Sequence, residues 1–230
     1  MLKSIFIKMF DSAMSLNKKN ILNLLEHNPN AFILDLGCDD GTWTKVMSEK
    51  IGSQEIFGVE VVKERIDLAR KKGITVKKAD LNKKLPFPDN YFDVVHANQV
   101  IEHLSEIDLF VHEIYRVLKK GGYVIISTEN ASSWHNIFAS IMGWQIFSLT
   151  NVSAKGLGLG NPMAVHSGEK VHLVTWVHKT IFNYYGLEDL FKIYNFKKII
   201  IVGEGYYPLL AIFGRIDPIH SHFVTLKCRK

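Results

Sequence analysis

The ten residues from Ile33 to Thr42, Ile-Leu-Asp-Leu-Gly-Cys-Asp-Asp-Gly-Thr, constrain the fold of this chain more than any other segment. The apolar residues at its start are typical of the end of a buried strand, and Gly37 and Gly41 bracket a tight turn. The residues that follow, up to Ile51, have the pattern of a helix. Glycines let a ligand approach the backbone closely, and free N–H groups at a helix N-terminus favour an anionic group. The segment therefore predicts a ligand-binding corner.

An acidic residue follows this turn at the spacing that a ribose requires. The apolar run 55–59 predicts a second strand, and Glu60 stands at its end. A carboxylate about 20 positions after a glycine turn, at the tip of the next strand, suits the paired hydroxyls of a ribose. The pattern thus predicts a cofactor that contains a nucleoside.

Strand and helix patterns alternate after a group of N-terminal helices over residues 1–29. Strands are predicted at about 31–36, 55–59, 74–77, 92–97 and 123–128, and helices at 42–51, 61–72 and 105–119, the last capped by Gly121 and Gly122. Such an alternation is typical of a parallel sheet with helices on both faces. The pattern then changes to an aromatic and glycine-rich insert at about 131–176. A helix at 178–195 and strands at 197–202 and 221–227 are predicted after it.

The composition restricts the classes of protein to which the chain can belong. The 230 residues are 47% hydrophobic and 22% charged, which suits one domain over 1–230 with its own core. The two cysteines do not suggest a disulfide framework, and the lysines behind the net charge of +5 are scattered. The longest apolar run, residues 137–149, is shorter than the roughly 20 residues of a spanning helix. With no recognisable signal peptide, the sequence predicts a cytoplasmic protein.

The order and spacing of several motifs carry a family resemblance. They are Asp35, Gly37 and Gly41 in the glycine turn, Glu60, Ala79-Asp80-Leu81, the segment 86–95 that leads into strand four, Glu102-His103-Leu104, and the turn 118–122. In these motifs the chain resembles the class I S-adenosylmethionine (SAM)-dependent methyltransferases, most closely the small-molecule, methyltransferase type 11-like group. The resemblance implies a Rossmann-like, seven-stranded, mostly parallel sheet. Its last strand is expected to be antiparallel, because the connection 206–219 is short for a crossover.

The resemblance also implies SAM as the cofactor and a set of residues that bind it. That set is Asp35, Gly37, Cys38, Asp39, Gly41, Glu60, Val61, Asp80, Leu81, Asn98 and Gln99. Asp39 stands where the family's turn has its middle glycine. Since Asp tolerates a left-handed backbone better than most residues, the turn is expected to form. The side chain of Asp39 could pair with the ammonium of the cofactor or repel its carboxylate.

Candidates for catalysis and acceptor binding come from the segments after strands four and five. Methyl transfer is an in-line displacement, for which the protein aligns the nucleophile and excludes water. A hydroxyl acceptor also loses a proton, and the candidate groups are His103, Glu102, His135 and His172, whereas His96 is interpreted as a core residue. Trp134, Trp144 and Asn130 are expected at the acceptor. The histidines lack the spacing of metal ligands along the chain, so no metal is predicted.

Three functional hypotheses remain open at this point. The first is methyl transfer to a small-molecule, glycan or lipid-linked acceptor, with no nucleic acid, because the insert carries only Lys155 and Lys170 as cations. The second is a catalytically degenerate methyltransferase fold that acts as a binding module. The third is a dinucleotide-dependent oxidoreductase, which the glycine pattern disfavours. The aromatic residues of 134–147 form either an acceptor lid or a core helix. The N-terminal apolar face, Leu2, Ile5, Phe6 and Met9, suits either core packing or contact with a membrane surface.

Overall fold

A seven-stranded sheet forms the centre of the computed structural model, which describes the backbone of residues 2–169 and 177–230 and side chains from residue 7 onward. The strands lie in the order β3-β2-β1-β4-β5-β7-β6. Their bounds are β1 Ile33–Leu36, β2 Ile56–Glu60, β3 Thr75–Lys78, β4 Phe92–Asn98, β5 Leu118–Glu129, β6 Lys197–Glu204 and β7 Phe223–Arg229.

The direction of β7 distinguishes this sheet from a dinucleotide-binding fold. β3, β2, β1, β4 and β5 pair in parallel, whereas β7 is antiparallel to both β5 and β6. The predicted seven strands and the predicted antiparallel last strand are therefore confirmed. A dinucleotide-binding sheet continues with a second parallel half at this position, so the topology opposes the oxidoreductase hypothesis.

Six helices of the described chain flank the sheet: α1 Leu2–Leu24, α2 Thr42–Ile51, α3 Lys63–Lys71, α4 Ile107–Val117, α5 Trp134–Ile141 and α6 Tyr184–Ile193. The predicted helix at 42–51 is confirmed. Two predicted boundaries were wrong. α4 ends at Val117 and passes directly into β5, so Gly121, with φ of 80°, lies within that strand instead of capping the helix. α6 begins only at Tyr184, because the side chain of Asn183 caps it by accepting a hydrogen bond from the Gly186 N–H.

The N-terminal region is one continuous helix, α1, and not several. Buried polar side chains join it to the far end of the chain, since Asn17 Oδ1 accepts a hydrogen bond from Thr225 Oγ1 in β7 at 2.8 Å. Lys227 Nζ donates to the Leu24 carbonyl. Of the predicted N-terminal apolar face, Leu2, Ile5 and Phe6 lie outside the described side chains. Helix α1 therefore lies on one face of the sheet, where hydrogen bonds attach it to β7.

Apolar cores lie on both faces of the sheet. The larger core packs α4 and α6 against β4, β5 and β7, with Phe92, Phe110 and Phe191 fully buried. The smaller core packs α1 and α2 against β1, with Ile21, Ile33, Met47 and Ile51 at its centre. Burial of side chains of this size contributes about 1.5–3 kcal/mol each, so the two cores hold the carboxyl ends of β1 and β4 in fixed positions. No helix in the described ranges is long and apolar enough to cross a bilayer.

Candidate active site

The turn after β1 adopts the strained backbone that its glycines predict. Gly37 and Gly41 have φ of 76° and 77°, and Asp39 between them has φ of 47°. The left-handed conformation expected of Asp39 is thus present. A Cβ at Gly37 would lie 2.8 Å from Val100 Cγ2, so a larger residue could not occupy this position without displacing its neighbour. Hydrogen bonds hold the turn, since the N–H groups of Gly37 and Cys38 donate to the Val59 carbonyl and that of Gly41 donates to the Cys38 carbonyl.

Both acidic side chains of the turn pair with cations outside it. The Asp39 carboxylate lies 3.1 Å from Arg65 Nε in α3 and is largely exposed. Asp40 accepts hydrogen bonds from the Thr42 N–H and hydroxyl at the start of α2, and Lys72 Nζ lies 2.8 Å from its Oδ2. The hydrogen bond from Lys72, followed by those from Thr42, lowers the pKa of Asp40 to about 2. Asp40 therefore fixes the helix start.

Glu60 lies at the tip of β2, as predicted, beside the glycine turn. Its Oε2 accepts a hydrogen bond from the Asp39 N–H at 3.1 Å, and its Oε1 accepts from the N–H groups of Val61 and Val62 at 2.8 and 3.0 Å. The side chain is only partly buried. A carboxylate offers about four lone-pair sites, so these three bonds orient Glu60 and leave acceptor capacity for one hydroxyl.

Asp35 and His96 form a buried pair behind the turn. Asp35 Oδ1 lies 2.7 Å from His96 Nδ1, and Oδ2 accepts a hydrogen bond from Thr44 Oγ1 at 2.5 Å. The Nε2 atom of His96 is buried and has no partner in the described chain. The interpretation of His96 as a satisfied core residue is therefore incomplete, because one of its nitrogens remains available to a ligand.

A cleft of about 150 Å³ opens beside this pair. Lys18 of α1 and Trp43 of α2 form part of its wall, and Lys18 Nζ lies 5.3 Å from the centre of the Trp43 ring. The other lining residues are Asp35, Gly37, Cys38, Asp39, His96 and Asn98, five of which belong to the predicted cofactor set. Burial raises the pKa of the Cys38 thiol, so this cysteine is a neutral wall residue. Sequence reasoning missed Lys18 and Trp43, since no motif marks them.

The segments after β3 and β4 complete the predicted cofactor set. Asp80 Oδ1 accepts hydrogen bonds from the backbone and side chain of Asn82, and the backbone bond is the main reason that the pKa of Asp80 is lowered. Leu81 beside it is buried in the larger core. Gln99 has φ of 55°, and its Nε2 is buried without a partner in the described residues. Strained residues of this kind cluster at functional sites.

Glu102, His103 and the distant His178 converge just beyond β4. One ligand atom of each lies within 4.8 Å of the others. Glu102 is 1% exposed; its Oε2 accepts from Thr128 Oγ1 at 3.0 Å, whereas Oε1 is unpartnered within the described ranges. Burial raises the pKa of Glu102 to about 8. Burial, and then the neighbouring His178, lower the pKa of His103 to about 4. Two predicted catalytic residues thus lie together.

Of the other two predicted catalytic histidines, His135 lies in a separate cluster of rings. His135 stacks on His222 at 4.5 Å between ring centres and contacts the rings of Phe147 and Tyr207. Burial lowers its pKa to about 3, so His135 is a neutral member of an aromatic cluster. His172 lies outside the described residues.

Residues predicted to contact the acceptor occupy different environments. Trp134 is exposed, stacks on His220 at 4.5 Å and donates a hydrogen bond to the Tyr206 hydroxyl. Trp144 is half-buried and contacts the edge of Phe138. Asn130 is fully buried and donates its two amide hydrogens to the carbonyls of Ile219 and Ser221. Asn130 therefore positions backbone segments and offers an acceptor no donor.

Helix α5 is a surface helix and not a core helix. It buries only Asn136 and Ala139, whereas Ile141 is 78% exposed. This exposure excludes the interpretation of the aromatic insert as a core helix. The other interpretation, that the insert forms a lid over the acceptor, remains a prediction.

Unpartnered buried polar atoms gather at the carboxyl end of the parallel strands. In the part of the chain that the structure describes, they include Trp43 Nε1, His96 Nε2, Gln99 Nε2, Glu102 Oε1, His135 Nδ1 and the Tyr207 hydroxyl. A buried donor or acceptor without a partner costs about 1–3 kcal/mol. Ligands of open α/β sheets bind at this same end. Of these residues, Trp43 and His96 line the cleft, so their unpartnered atoms suit a polar ligand that enters it.

Comparison with known proteins agrees with this architecture. Residues 34–126 match the family model described as a methyltransferase domain. An uncharacterized methyltransferase of Schizosaccharomyces pombe is 40% identical over 104 residues, which are 40% of this chain and 37% of that protein. A demethylmenaquinone methyltransferase of Listeria welshimeri is 29% identical over 134 residues, 53% of this chain and 56% of that protein. The chain thus spans between about a third and somewhat over half of the length of these curated relatives.

A solved structure extends the likeness to nearly the whole fold. A SAM-dependent methyltransferase of Thermotoga maritima, described as a possible histamine N-methyltransferase, superposes with a TM-score of 0.65 at 20% identity, covering 98% of this chain and 92% of that one. At this identity the likeness concerns the fold.

The residues present fit the cofactor of such folds. SAM carries a ribose, an ammonium and a carboxylate, and the site offers Glu60, the cleft beside Asp35 and His96, and the cation Lys18. Gly37 is exposed in the wall of the cleft and presents backbone without a side chain to the cofactor. Residues 34–126 thus match the methyltransferase domain family, and the seven-stranded fold around them is that of a SAM-dependent methyltransferase of known structure.

Proposed function

We propose that this protein transfers a methyl group from SAM to a small-molecule acceptor, and that the acceptor is lipid-linked. One observation supports methyl transfer. The glycine turn, Glu60 and the cleft all lie at one end of the sheet, and the cleft is lined by Asp35, His96 and Lys18. SAM, when bound, supplies an electrophilic methyl group whose bonding electron pair stays on sulfur as the acceptor's lone pair forms the new bond. Acceptor binding and proton removal are left to the chain's own residues.

Each part of the cleft has a matching role in this proposal. Glu60 accepts a hydrogen bond from a ribose hydroxyl, since the N–H groups of Asp39, Val61 and Val62 orient its carboxylate and leave about one lone pair unused. Lys18 pairs with the methionine carboxylate. His96 is oriented by Asp35, so its Nε2 faces the same cleft. These groups are pre-positioned by the two cores, which reduces the ordering cost of binding.

An exposed apolar surface supports the lipid-linked acceptor. It consists of large side chains in the segments 134–142 and 209–216: Trp134, Phe138, Ile141, Met142, Leu209, Leu210, Ile212, Phe213 and Ile216, the last 80% exposed. The two parts meet where Trp134 bonds to Tyr206, whose ring contacts Phe213. Large exposed apolar patches mark membrane or ligand contacts. We call these nine residues the apolar surface.

The charge of the insert argues against a nucleic-acid acceptor. Between residues 132 and 172 the sequence has only Lys155 and Lys170 as lysines or arginines, whereas binding a phosphate backbone requires clustered cations. Aromatic rings such as those of Trp134 and Phe138 suit an apolar tail or the face of a sugar ring. The relative from Listeria welshimeri is named for demethylmenaquinone, and this name supports a small organic acceptor here.

A radiolabel experiment tests the proposal. Purified protein is incubated with SAM labelled in its methyl group and with separate lipid, aqueous metabolite and RNA fractions of cells. We expect label in the lipid fraction and none with Glu60→Ala protein. Radiolabel found only in the RNA fraction would contradict the proposal that the acceptor is a lipid-linked small molecule. SAM binding with no transfer to any fraction would instead support the binding-module hypothesis.

The apolar surface has its own test with a matched control. Flotation with phosphatidylglycerol vesicles measures association, and the paired substitution Ile141→Ser, Ile216→Ser removes two of its most exposed members. We expect several-fold less vesicle-bound protein and unchanged SAM affinity. The control, Ile193→Ser, removes an equally exposed isoleucine from α6, outside this surface. Equal flotation of all three proteins would contradict the role of the surface.

A further inference from the structure

We propose that Glu102, His103 and His178 bind one divalent transition-metal ion at the carboxyl end of β4. Their ligand atoms already lie within 4.8 Å of one another. Bonds to such an ion are about 2.0–2.2 Å for nitrogen and oxygen, so its ligand atoms are about 3–4 Å apart. Small rotations of the three side chains therefore suffice to bind an ion. Two imidazoles and one carboxylate form a set that transition metals prefer.

The hydrogen bonds of the two histidines prepare them as ligands. His103 Nδ1 lies 3.2 Å from the Val177 carbonyl, and His178 Nδ1 lies 2.6 Å from the Ser148 carbonyl. A carbonyl oxygen only accepts, so each Nδ1 carries the hydrogen and each Nε2 presents a lone pair. Metal-binding histidines characteristically donate their other N–H in this way, because the bond fixes the tautomer and the ring orientation.

The carboxylate of Glu102 also indicates a ligand at this position. Its side chain is 1% exposed, and its Oε2 is held by Thr128 Oγ1 at 3.0 Å, while Oε1 is buried without a partner among the residues described. An isolated carboxylate in such a place is costly unless it is paired or coordinates a metal. The backbone holds the group together as well, since the N–H groups of Lys179 and Thr180 donate to the Glu102 carbonyl. His178 is therefore anchored beside Glu102.

The proposed ion has a consequence for the acceptor that rests on the proposed function. Three protein ligands leave at least one coordination position open, as in catalytic metal sites. An acceptor hydroxyl bound there would have a lowered pKa and would release its proton to water. The resulting oxygen lone pair forms the new bond to the methyl carbon. We therefore expect an acceptor with a hydroxyl group.

Metal binding is measured directly on the full chain. The protein is stripped with a chelator and titrated with Zn²⁺, Mn²⁺ and Co²⁺ by calorimetry, and bound metal is counted after desalting. We expect one equivalent of at least one of these ions. We expect Glu102→Gln and His178→Ala to weaken binding by more than roughly 100-fold, since losing an outer-shell partner alone costs about 10–100-fold. We expect Thr128→Val, which removes the hydrogen-bond partner of Glu102, to weaken metal binding by about 10–100-fold.

Controls separate this inference from misfolding and from the proposed function. His112→Ala removes an exposed histidine of α4 and should leave metal affinity unchanged. Thermal unfolding and SAM affinity are measured for every variant, so that a failure to fold is recognised. Absence of binding to the native protein, or equal affinity in Glu102→Gln and His178→Ala, would overturn the metal site. Metal binding without methyl transfer would leave the site standing and remove only its consequence for the acceptor.

Discussion

Asp35 and His96 face each other across adjacent parallel strands, with 2.7 Å between Asp35 Oδ1 and His96 Nδ1. Thr44 of α2 binds the second carboxylate oxygen, so three elements meet at one buried acid. The pair thus joins the sheet to the first helix after the glycine turn, immediately beside the cleft.

Removing the acid of this pair should destabilise the protein. Asp35→Ala leaves the His96 ring and the Thr44 hydroxyl buried without their partner, and breaking a buried pair costs about 3–5 kcal/mol. We expect the free energy of unfolding in urea to fall by roughly this amount. His96→Phe also breaks the pair and leaves Asp35 buried with Thr44 as its remaining side-chain partner, so it should cost a comparable amount. An Asp35→Ala protein as stable as the native chain would contradict this account of the pair.

Glu60 should decide the affinity for the cofactor. Glu60→Ala removes charge-assisted hydrogen bonds worth about 1.5–3 kcal/mol, so SAM should bind more than tenfold more weakly in calorimetry. Glu64→Ala, an exposed acid of α3, is the control. Native affinity in Glu60→Ala would remove this residue from the site.

Lys18 should contribute to binding affinity only when the ligand has the carboxylate of the amino-acid end of the cofactor. Its ammonium lies beside the Trp43 ring in the cleft wall. We expect Lys18→Met to weaken binding of the demethylated product of SAM by about tenfold, because a charged hydrogen bond is worth about 1.5–3 kcal/mol. Binding of methylthioadenosine, which lacks the carboxylate, should not change. Lys19→Met is the neighbouring control, and an equal loss for both ligands would show that Lys18 supports the fold instead.

The Asp40 carboxylate gives the start of α2 a pH-dependent contribution. Its folded pKa of about 2 lies below the ordinary value of 3.8, so its stabilisation is present above pH 4 and lost as the pH falls towards 2. Since the pair with Lys72 is partly exposed, we expect Asp40→Asn to cost only about 0.5–1 kcal/mol at pH 7. Urea unfolding at pH 7 and pH 3 should show a smaller difference at pH 3. A difference that grows with acidity would refute the assignment.

The sequence predicted those parts of the fold and site in which neighbouring residues act together. The turn at 37–41, Glu60 at the tip of β2 and the antiparallel β7 are all observed. Local patterns suffice there, because glycine conformations and strand periodicity are properties of short segments. Boundaries were harder: α6 begins later than its apolar period suggests, since the Asn183 cap outweighs that period.

The remaining site residues could not be predicted because they come together over long distances. Lys18 joins the cleft from α1, and His178 reaches Glu102 from 76 positions later in the chain. Metal-ligand spacing along the sequence reveals only ligands on one element, and His103 and His178 share none. Likewise, His96 resembled a core residue because its strand is buried, although one ring nitrogen lacks a partner in the described structure.

The bond between Asn17 and Thr225 has a consequence for the order of assembly. The two residues are 208 positions apart, so α1 is synthesised long before the strand that receives it. The part of its inner face that contacts β7 stays uncovered until that strand is made, whereas the part around Ile21 can pack on β1 and α2 earlier. Contacts of such separation form late, because the loop between them has to be closed first. A nascent chain stalled before β7 should therefore leave the Asn17 side of α1 exposed to chaperones, and α1 should complete its docking only after β7 has been made.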